Sequence, residues 1–113
     1  MLPRSQRVSK TLFETTMRAS KTYHSPFLSI RVGFNTESVS RFSCVVSKKI
    51  DKRAVRRNAL RRNMYNVLGN LVYKTPKGCV VLVFAKKGCE LLKIEDLQKE
   101  IELLLDRAGL RIV

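Results

Sequence analysis

The spacing of hydrophobic residues changes several times along this chain of 113 residues, and each change predicts a different element. In residues 27–34 apolar and polar side chains alternate, which predicts a half-buried strand with one apolar face: Leu28, Ile30, Val32 and Phe34. Alternation resumes at residues 42–47, beyond a polar turn at 35–38, and we expect this second strand to pair with the first. Residues 79–85 follow a turn at 74–78 and are apolar without a break, as in a central strand covered on both faces.

Helical spacing appears in three other segments. Residues 9–20 predict a short first helix, capped either by Ser9 or by a capping box of Thr11 and Glu14. Residues 52–71 predict a second helix with a docking sector about 100° wide, formed by Leu60, Met64, Val67, Leu68 and Leu71.

The last helix has its apolar residues at helical spacing between positions 94 and 108: Ile94, Leu97, Ile101, Leu104, Leu105 and Ala108. Gly109 follows at the position that suits a left-handed residue after a helix. The predicted order is therefore α-β-β-α-β-α. This order is typical of a single-domain α+β sandwich over residues 1–113, with helices packed on a small sheet.

The second helix begins in a dense run of positive charge. Residues 48–62 contain one acid, Asp51, and eight cations: Lys48, Lys49, Lys52, Arg53, Arg56, Arg57, Arg61 and Arg62. Arg57 and Arg61 fall on one flank of the apolar sector at an i,i+4 step, and Asn58 starts the next row outward. Such a density of like charge is unfavourable without a polyanion to neutralise it. The run therefore predicts a helix face that binds a nucleic-acid backbone.

Composition narrows the partner further. The net charge is +14, and 44% of the residues are hydrophobic, which is typical of a folded domain rather than a basic tail. A membrane partner is disfavoured because the basic run has no aromatic residue and no apolar segment is long enough to span a bilayer. A DNA recognition helix is disfavoured because a strand, not a short helix, precedes the basic segment.

Side chains suited to catalysis or metal binding are sparse. His24, the one histidine, is placed in a polar turn, and the carboxylates of the last helix are interleaved with its apolar stripe, as on a solvated face. Cys44, Cys79 and Cys89 lack CxxC spacing, so we expect reduced thiols rather than disulfides or a zinc site. We predict no catalytic residue, no metal ligand and no cofactor held by protein side chains.

At the basic segment the sequence resembles a known family, the bacterial ribonuclease P protein subunit. The matching signature is SKKIDKRAVRRNALRRN at residues 47–63, where the residues shared with the family pattern are Ser47, Lys48, Lys49, Ala54, Arg57, Asn58, Arg61 and Arg62. The start of the chain, with Leu2-Pro3, Arg7-Val8 and Phe13, and the segment Phe84-Ala85-Lys86 also match. Ala59 departs from the family's usual arginine, and Met17 stands where a second aromatic residue is frequent.

The resemblance implies a left-handed βαβ crossover and a division of labour within a ribonucleoprotein. The RNA subunit would remove the 5′ leader of precursor tRNA with RNA-bound magnesium, and the protein would bind ribonuclease P RNA and hold the leader in a cleft between the first helix and the sheet. Contacts to the RNA subunit would come from Lys48, Lys49, Arg53, Arg57, Asn58, Arg61 and Arg62. The leader cleft would be lined by Phe13, Met17, Ile30 and Lys86.

By the same resemblance the protein would act in the cytoplasm as a subunit of the tRNA-processing endoribonuclease, with ribonuclease P RNA and precursor tRNA as partners. No protein partner and no membrane are implied. The sequence leaves open two points about the cleft. Phe13 fits a core position or a stacking platform for an unpaired nucleotide, and Ile30 fits core as well as cleft. A non-enzymatic RNA-binding module, such as a small ribosomal protein, is the alternative function.

Overall fold

A computed structural model describes residues 7–34, 40–71 and 78–110 of the chain. Within these residues the elements follow one another as α1 (Lys10–Arg18), β1 (Lys21–His24), β2 (Leu28–Phe34), β3 (Arg41–Val45), α2 (Ala54–Leu71), β4 (Cys79–Ala85) and α3 (Ile94–Arg107), with a single 3-10 turn at Cys89–Leu91. The turn predicted at 35–38, and all but Gly78 of the turn predicted at 74–78, lie outside the described residues.

The first helix begins at the residue that its sequence predicts. The Ser9 hydroxyl accepts a hydrogen bond of 3.2 Å from the backbone amide of Leu12, which satisfies one of the donors left open at a helix start. The carbonyl of Thr11 accepts from the Thr15 hydroxyl at 3.0 Å, so Thr11 lies inside the helix and not at its cap. The Ser9 alternative is confirmed. The helix ends at Arg18, two residues early, because β1 starts at Lys21.

The four strands form one sheet in the order β1-β2-β4-β3. β2 is antiparallel to β1 and β4, while β3 runs parallel to β4. The predicted pairing of the 27–34 and 42–47 strands is therefore wrong, because the strand at 79–85 lies between them. A strand that is apolar on both faces needs cover above and below, which the centre of the sheet provides. The α2 crossover carries the chain from β3 to β4 in the parallel sense.

The sequence prediction missed β1. Its four residues, Lys21 to His24, show no apolar alternation, because the strand lies at the edge of the sheet and three of its residues are exposed. His24 is the last residue of β1 and not part of a turn, and its backbone carbonyl accepts a 3.0 Å hydrogen bond from the Arg107 guanidinium. The element order is therefore α-β-β-β-α-β-α.

One face of the sheet is covered by α2 and α3 and holds the main core. Leu28, Ile30 and Val32 of β2 point to it, together with alternate residues of β3 and β4. The docking sector of α2 is confirmed in full, since all five of its predicted residues are buried. α3 contributes its central apolar residues to the same core, namely Leu97, Ile101, Leu104 and Leu105.

Two residues predicted on apolar faces lie outside the core. Phe34 is 73% exposed because it is the last residue of β2, at the rim of the sheet beside an open cavity lined also by Tyr23 and Ala108. Ile94 is 48% exposed as the first residue of α3. At the other end of α3, Gly109 has φ +80°, and the amide of Leu110 donates to the carbonyl of Leu105, which confirms the predicted helix end.

The other face of the sheet carries α1. A Cβ on Gly33 of β2 would lie 3.2 Å from Cγ2 of Thr16, so the missing side chain lets α1 approach β2 closely. The Arg31 guanidinium, also on β2, donates a 2.9 Å hydrogen bond to the carbonyl of Met17 and ties the end of α1 to the sheet. The handedness of the β3-α2-β4 crossover stays a prediction of the resemblance.

Candidate nucleic-acid interface

The loop that leads into α2 is organised by Asp51. Its carboxylate accepts a 2.9 Å hydrogen bond from the backbone amide of Arg53 and also contacts the Arg53 guanidinium, with 3.2 Å between Oδ1 and Nε. The backbone hydrogen bond, followed by the guanidinium contact, holds the pKa of the Asp51 carboxyl below its ordinary value. One acid within the cationic run therefore fixes the start of the basic helix and orients Arg53.

Arg57 has a structural role as well as a charge. Its Nη1 donates to the backbone carbonyls of Asp51 at 3.0 Å and Lys52 at 2.9 Å. These bonds satisfy carbonyls of the preceding loop and hold the guanidinium, which is half-buried, against the start of α2. The remaining donors of the group are available to a ligand. Arg57 therefore presents a fixed donor fork.

The next turn of α2 pairs Arg61 with Asn58, whose side-chain carbonyl accepts a hydrogen bond from the Arg61 guanidinium. The sequence analysis placed these two residues in neighbouring rows, and the structure shows them in contact. Asn58 is exposed. The other predicted RNA contacts, Lys48, Lys49 and Arg62, are exposed as well, and so is Arg56. The seven predicted RNA contacts thus lie on the loop before α2 and on the solvent side of that helix.

Tyr65 continues the row of Arg57 and Arg61 and links it to the amino-terminal segment. The guanidinium carbon of Arg7 lies 5.7 Å from the centre of the Tyr65 ring, within the range of a cation–π contact. The Tyr65 hydroxyl accepts a 3.2 Å hydrogen bond from the backbone amide of Cys44 on β3. Arg7 also forms a β-bridge with Phe42. Arg7 and the basic row of α2 are therefore adjacent beside β3.

The α1 face of the sheet contains three of the four predicted cleft residues. The Phe13 ring packs on Phe84 of β4 with 6.3 Å between centroids and a tilt of 57°. Met17 is half-buried on the last turn of α1. Lys86 follows β4, and its ammonium donates a 3.0 Å hydrogen bond to the carbonyl of Ser25. Phe13 is only half-buried.

Ile30 is not a cleft residue, and this prediction is wrong. Its side chain has no exposed surface and belongs to the core between the sheet and the α2 and α3 helices. The reason is the alternation of β2: Leu28, Ile30 and Val32 share one face, whereas Ser29 and Arg31 point to the other, as the bond from Arg31 to α1 shows. The core alternative for Ile30 is the one that the structure bears out.

Several residues that share the α1 face with Phe13 are not among the predicted site residues. The register places Ser29 opposite Phe84 and Ser43 opposite Leu82, so polar and aromatic side chains meet on this face. Five of its residues are only half-buried: Ser29, Arg31, Arg41, Ser43 and Phe84. The alternation that predicts the apolar face of β2 also predicts that Ser29 and Arg31 lie on the opposite face. That opposite face carries the groups that can bind a ligand.

The three thiols lie away from this surface. Cys44, Cys79 and Cys89 are free and buried. Burial raises the pKa of the Cys89 thiol to about 12 and also raises the pKa values of Cys44 and Cys79. Across residues 7–34, 40–71 and 78–110, no cluster of His, Cys, Asp and Glu has a geometry that could hold a metal ion. Nor does a helix in these ranges have the length and apolarity to cross a membrane.

Comparison with known sequences identifies the family to which the chain belongs. A model of the family described as Ribonuclease P matches residues 2–109. The chain belongs to the ribonuclease P protein family. It is 34% identical over 113 residues to the ribonuclease P protein component of Synechococcus elongatus, in an alignment that covers 95% of this chain and 93% of that protein. The corresponding component of Prochlorococcus marinus is 35% identical over 78 residues, covering 67% and 61% of the two chains.

Solved structures of ribonuclease P proteins have the same fold. The Staphylococcus aureus protein superposes with a TM-score of 0.83 at 18% identity, over 93% of this chain and 96% of that one. The Thermotoga maritima protein gives 0.79 at 22% identity, over 89% and 96%. As a member of this family, the chain is a component of the tRNA-processing ribonucleoprotein ribonuclease P, and its partner is an RNA.

Proposed function

We propose that this protein binds ribonuclease P RNA through the start of α2 and holds the 5′ leader of precursor tRNA on the α1 face of its sheet. The holoenzyme then removes the leader to give the mature 5′ end of the tRNA. The observation that carries the proposal is the contact of Arg7 with Tyr65, because it brings the segment that leads into α1, the helix of Phe13, against the basic row of α2. One RNA surface then continues into the other.

The basic row suits an RNA backbone because its guanidinium groups are already oriented. Arg57 is fixed by two backbone carbonyls and Arg61 by Asn58, so less side-chain entropy is lost when they meet phosphates. The exposed cations Lys48, Lys49 and Arg62 surround these two groups and add charge without geometric constraint. Fixed forks with flexible charges around them favour a folded RNA whose phosphates have defined positions.

The α1 face suits a single-stranded leader. The half-buried Phe13 ring offers a platform on which an unpaired base can stack whatever its identity. Lys86 lies after the same strand as Phe84, and its ammonium uses one of three donors on Ser25. A leader varies in sequence from one tRNA to another, and stacking with backbone contacts tolerates that variation.

Hydrolysis is assigned to the RNA subunit, as the family resemblance implies, with magnesium ions held by the RNA. The protein residues placed on the interface are Arg, Lys, Asn and aromatic groups, which bind and orient RNA. In this division the protein fixes the position of the leader relative to the catalytic RNA, and it acts in the cytoplasm with precursor tRNA as substrate.

Reconstitution tests the proposal. The purified protein is added to its cognate ribonuclease P RNA at low magnesium, and cleavage of a 5′-labelled precursor tRNA is followed. We expect the protein to restore cleavage at the mature 5′ end, because cationic side chains neutralise phosphates that magnesium otherwise screens. If the RNA is active alone at high magnesium but the protein neither binds it nor restores cleavage, the proposal is wrong and a different RNA-binding role remains.

A charge-matched pair of variants makes the test specific. Lys48→Ala with Arg62→Ala removes two exposed charges from the proposed interface, and Lys93→Ala with Lys99→Ala removes two exposed charges near the start of α3. The first pair should lower the slope of log affinity against log salt by about 2, close to one unit for each phosphate that is no longer neutralised. The second pair should leave that slope unchanged.

A further inference from the structure

A groove lies on the flank of α2 opposite to Arg57 and Arg61. Its walls are α2 and the 3-10 turn Cys89–Leu91, and its volume is about 210 Å³. Apolar side chains line it on both sides, from Ala59, Leu60, Leu91, Leu92 and Leu97. This volume is below the roughly 300–1,000 Å³ of pockets that enclose drug-sized ligands, so the groove suits one small flat group.

The rim of the groove is polar and unevenly charged. Arg56 and Asn63 lie on the α2 side, Glu90 lies on the side of the turn, and Asp51 lies in the loop that leads into α2. The Asp51 carboxylate is already bound by the backbone amide and guanidinium of Arg53. The Glu90 carboxylate is occupied, since both of its oxygens accept from the backbone amide of Gly88 at 3.1–3.2 Å. Among the described residues, the side-chain amide of Asn63 makes no hydrogen bond. It therefore offers a donor and an acceptor beside the aliphatic residues of the groove.

Exposed aliphatic side chains lie on both elements that form the groove. Leu91 is 83% exposed on one wall, and Val55 is 80% exposed one helical turn before Ala59. These two side chains leave aliphatic surface exposed beside a strongly cationic segment. Leu91 and Val55 would not contact charged groups, such as phosphates, favourably. The flat face of a nucleobase and the carbon atoms of a ribose are the parts of an RNA that match them.

We propose that this groove binds one unpaired nucleobase of ribonuclease P RNA. The base would lie between Ala59 and Leu91, its edge would hydrogen-bond with the Asn63 amide, and Arg56 would contact a flanking phosphate. Charge supports an RNA occupant, because the cation Arg56 lies on the rim and the exposed Arg62 lies on the outward side of the same helix. The two carboxylates of the lining, Asp51 and Glu90, already accept hydrogen bonds from backbone amides. A strand lying along that side can turn a base into the groove. The inference rests on the proposed function and adds a base-specific contact to it.

The small side chain of Ala59 is what leaves the groove open. Leu60 is buried in the core, so it forms the floor and not a wall. Ala59 is exposed and its Cβ leaves room on the α2 side for a planar ring against Leu91. A longer side chain at position 59 would reduce that space. The base contact is thus separate from the phosphate contacts of Arg57 and Arg61 on the opposite flank.

The test uses two single variants of the full-length protein, Leu91→Ala and Asn63→Ala, with Leu103→Ala as the matched control. Leu103 is an exposed leucine of α3 outside the groove. We expect Leu91→Ala and Asn63→Ala each to lower affinity for cognate ribonuclease P RNA roughly fivefold, as expected for one apolar contact or one hydrogen bond. The slope of affinity against salt should not change, because every phosphate contact remains in place. Leu103→Ala should bind as the unchanged protein does.

An RNA lacking the base completes the experiment. A photocrosslinking amino acid at position 91 identifies the nucleotide, and an RNA abasic at that nucleotide is then prepared. On the abasic RNA, Leu91→Ala should cause no further loss of affinity, since both changes remove the same interaction. Equal affinity of Leu91→Ala and the unchanged protein for intact RNA would overturn the inference, as would a lowered salt slope. Neither outcome would change RNA binding or tRNA cleavage by the unchanged protein. The proposed function is therefore tested separately, by reconstitution.

Discussion

The two faces of the sheet differ in how completely they are covered. The face under α2 and α3 is closed, with Ile30, Phe42, Val81 and Val83 wholly buried. The face under α1 is covered only in part, because α1 has nine residues and packs mainly on β2. There Arg31 and Ser43 stay half-exposed on the same sheet.

This difference separates stability from binding. The closed face removes apolar area from water and supplies the larger part of the folding free energy. The open face keeps polar and aromatic groups at a fixed spacing because the sheet beneath them is held by its other side. A ligand surface built in this way can be rigid and still accessible. Variants on the two faces should therefore fail in different ways.

The largest effect is expected on the closed face. Ile30→Ala should lower the free energy of unfolding by about 2–5 kcal/mol, since it leaves a cavity in a core without exposed surface. Urea denaturation followed by circular dichroism measures this loss. Ile94→Ala is the matched control, because Ile94 is 48% exposed and should cost much less. A variant at position 30 with normal stability and weakened leader binding would show that Ile30 belongs to the cleft.

The second effect is expected on the open face. Phe13→Ala should weaken binding of a single-stranded leader by about 1–3 kcal/mol, the range for removing one base-stacking aromatic residue. Fluorescence anisotropy with precursor tRNAs of different leader lengths measures it. The loss should vanish for tRNA without a leader. Phe34→Ala, which removes an aromatic ring that is 73% exposed at the sheet rim, serves as the control. Equal losses from both variants would contradict a stacking role for Phe13.

A third comparison separates two arginines of the basic helix. Arg57→Ala should reduce stability by about 1 kcal/mol, because its guanidinium bonds two backbone carbonyls. Arg62→Ala should change stability by less than about 0.5 kcal/mol, since Arg62 is exposed. Both variants should lower the salt dependence of RNA binding by about one unit. Thermal unfolding together with titrations at several salt concentrations tests both statements, and identical melting temperatures would show that Arg57 carries no structural bond.

The smallest effect concerns the thiols of the closed face. A raised pKa means that the folded protein keeps the thiol proton longer than the unfolded chain does. The resulting stabilisation is complete below about pH 8.5 and is lost as the pH rises toward the folded pKa, about 12 for Cys89. Stability should therefore fall from about pH 9 upward, and less steeply in Cys89→Ala. Rapid labelling of Cys44 and Cys89 at about pH 8 without denaturant would show that this face is not closed.

Several elements could be predicted from the local pattern of the sequence. The sector of α2 is confirmed because helical period depends only on neighbours three and four residues apart, and β4 is central because an apolar run needs cover on both faces. The Ser9 cap and the Gly109 end of α3 are local as well. The missed strand β1 lacks any pattern, since an edge strand can remain polar.

Among the candidate site residues, prediction of a surface position holds where charge alone places a side chain there, and the RNA contacts stay predictions. The cations Lys48, Lys49 and Arg62 are exposed, as their charge requires. It failed for Ile30, because an apolar residue fits a core or a cleft equally well and the sequence does not say which face of the strand carries α1. It also offered no sign of the Arg7 contact with Tyr65, which joins positions 58 residues apart.

The sequence by itself determined the basic helix, its docking sector and the family to which the chain belongs, because these depend on residue type and local spacing. Tertiary structure alone decided that β3 pairs with β4 and not with β2, and that α1 lies on the face opposite Ile30. Both depend on how the α2 crossover and the sheet bury apolar area together. Each arrangement satisfies the same local preferences, so only the packing of the whole chain distinguishes them.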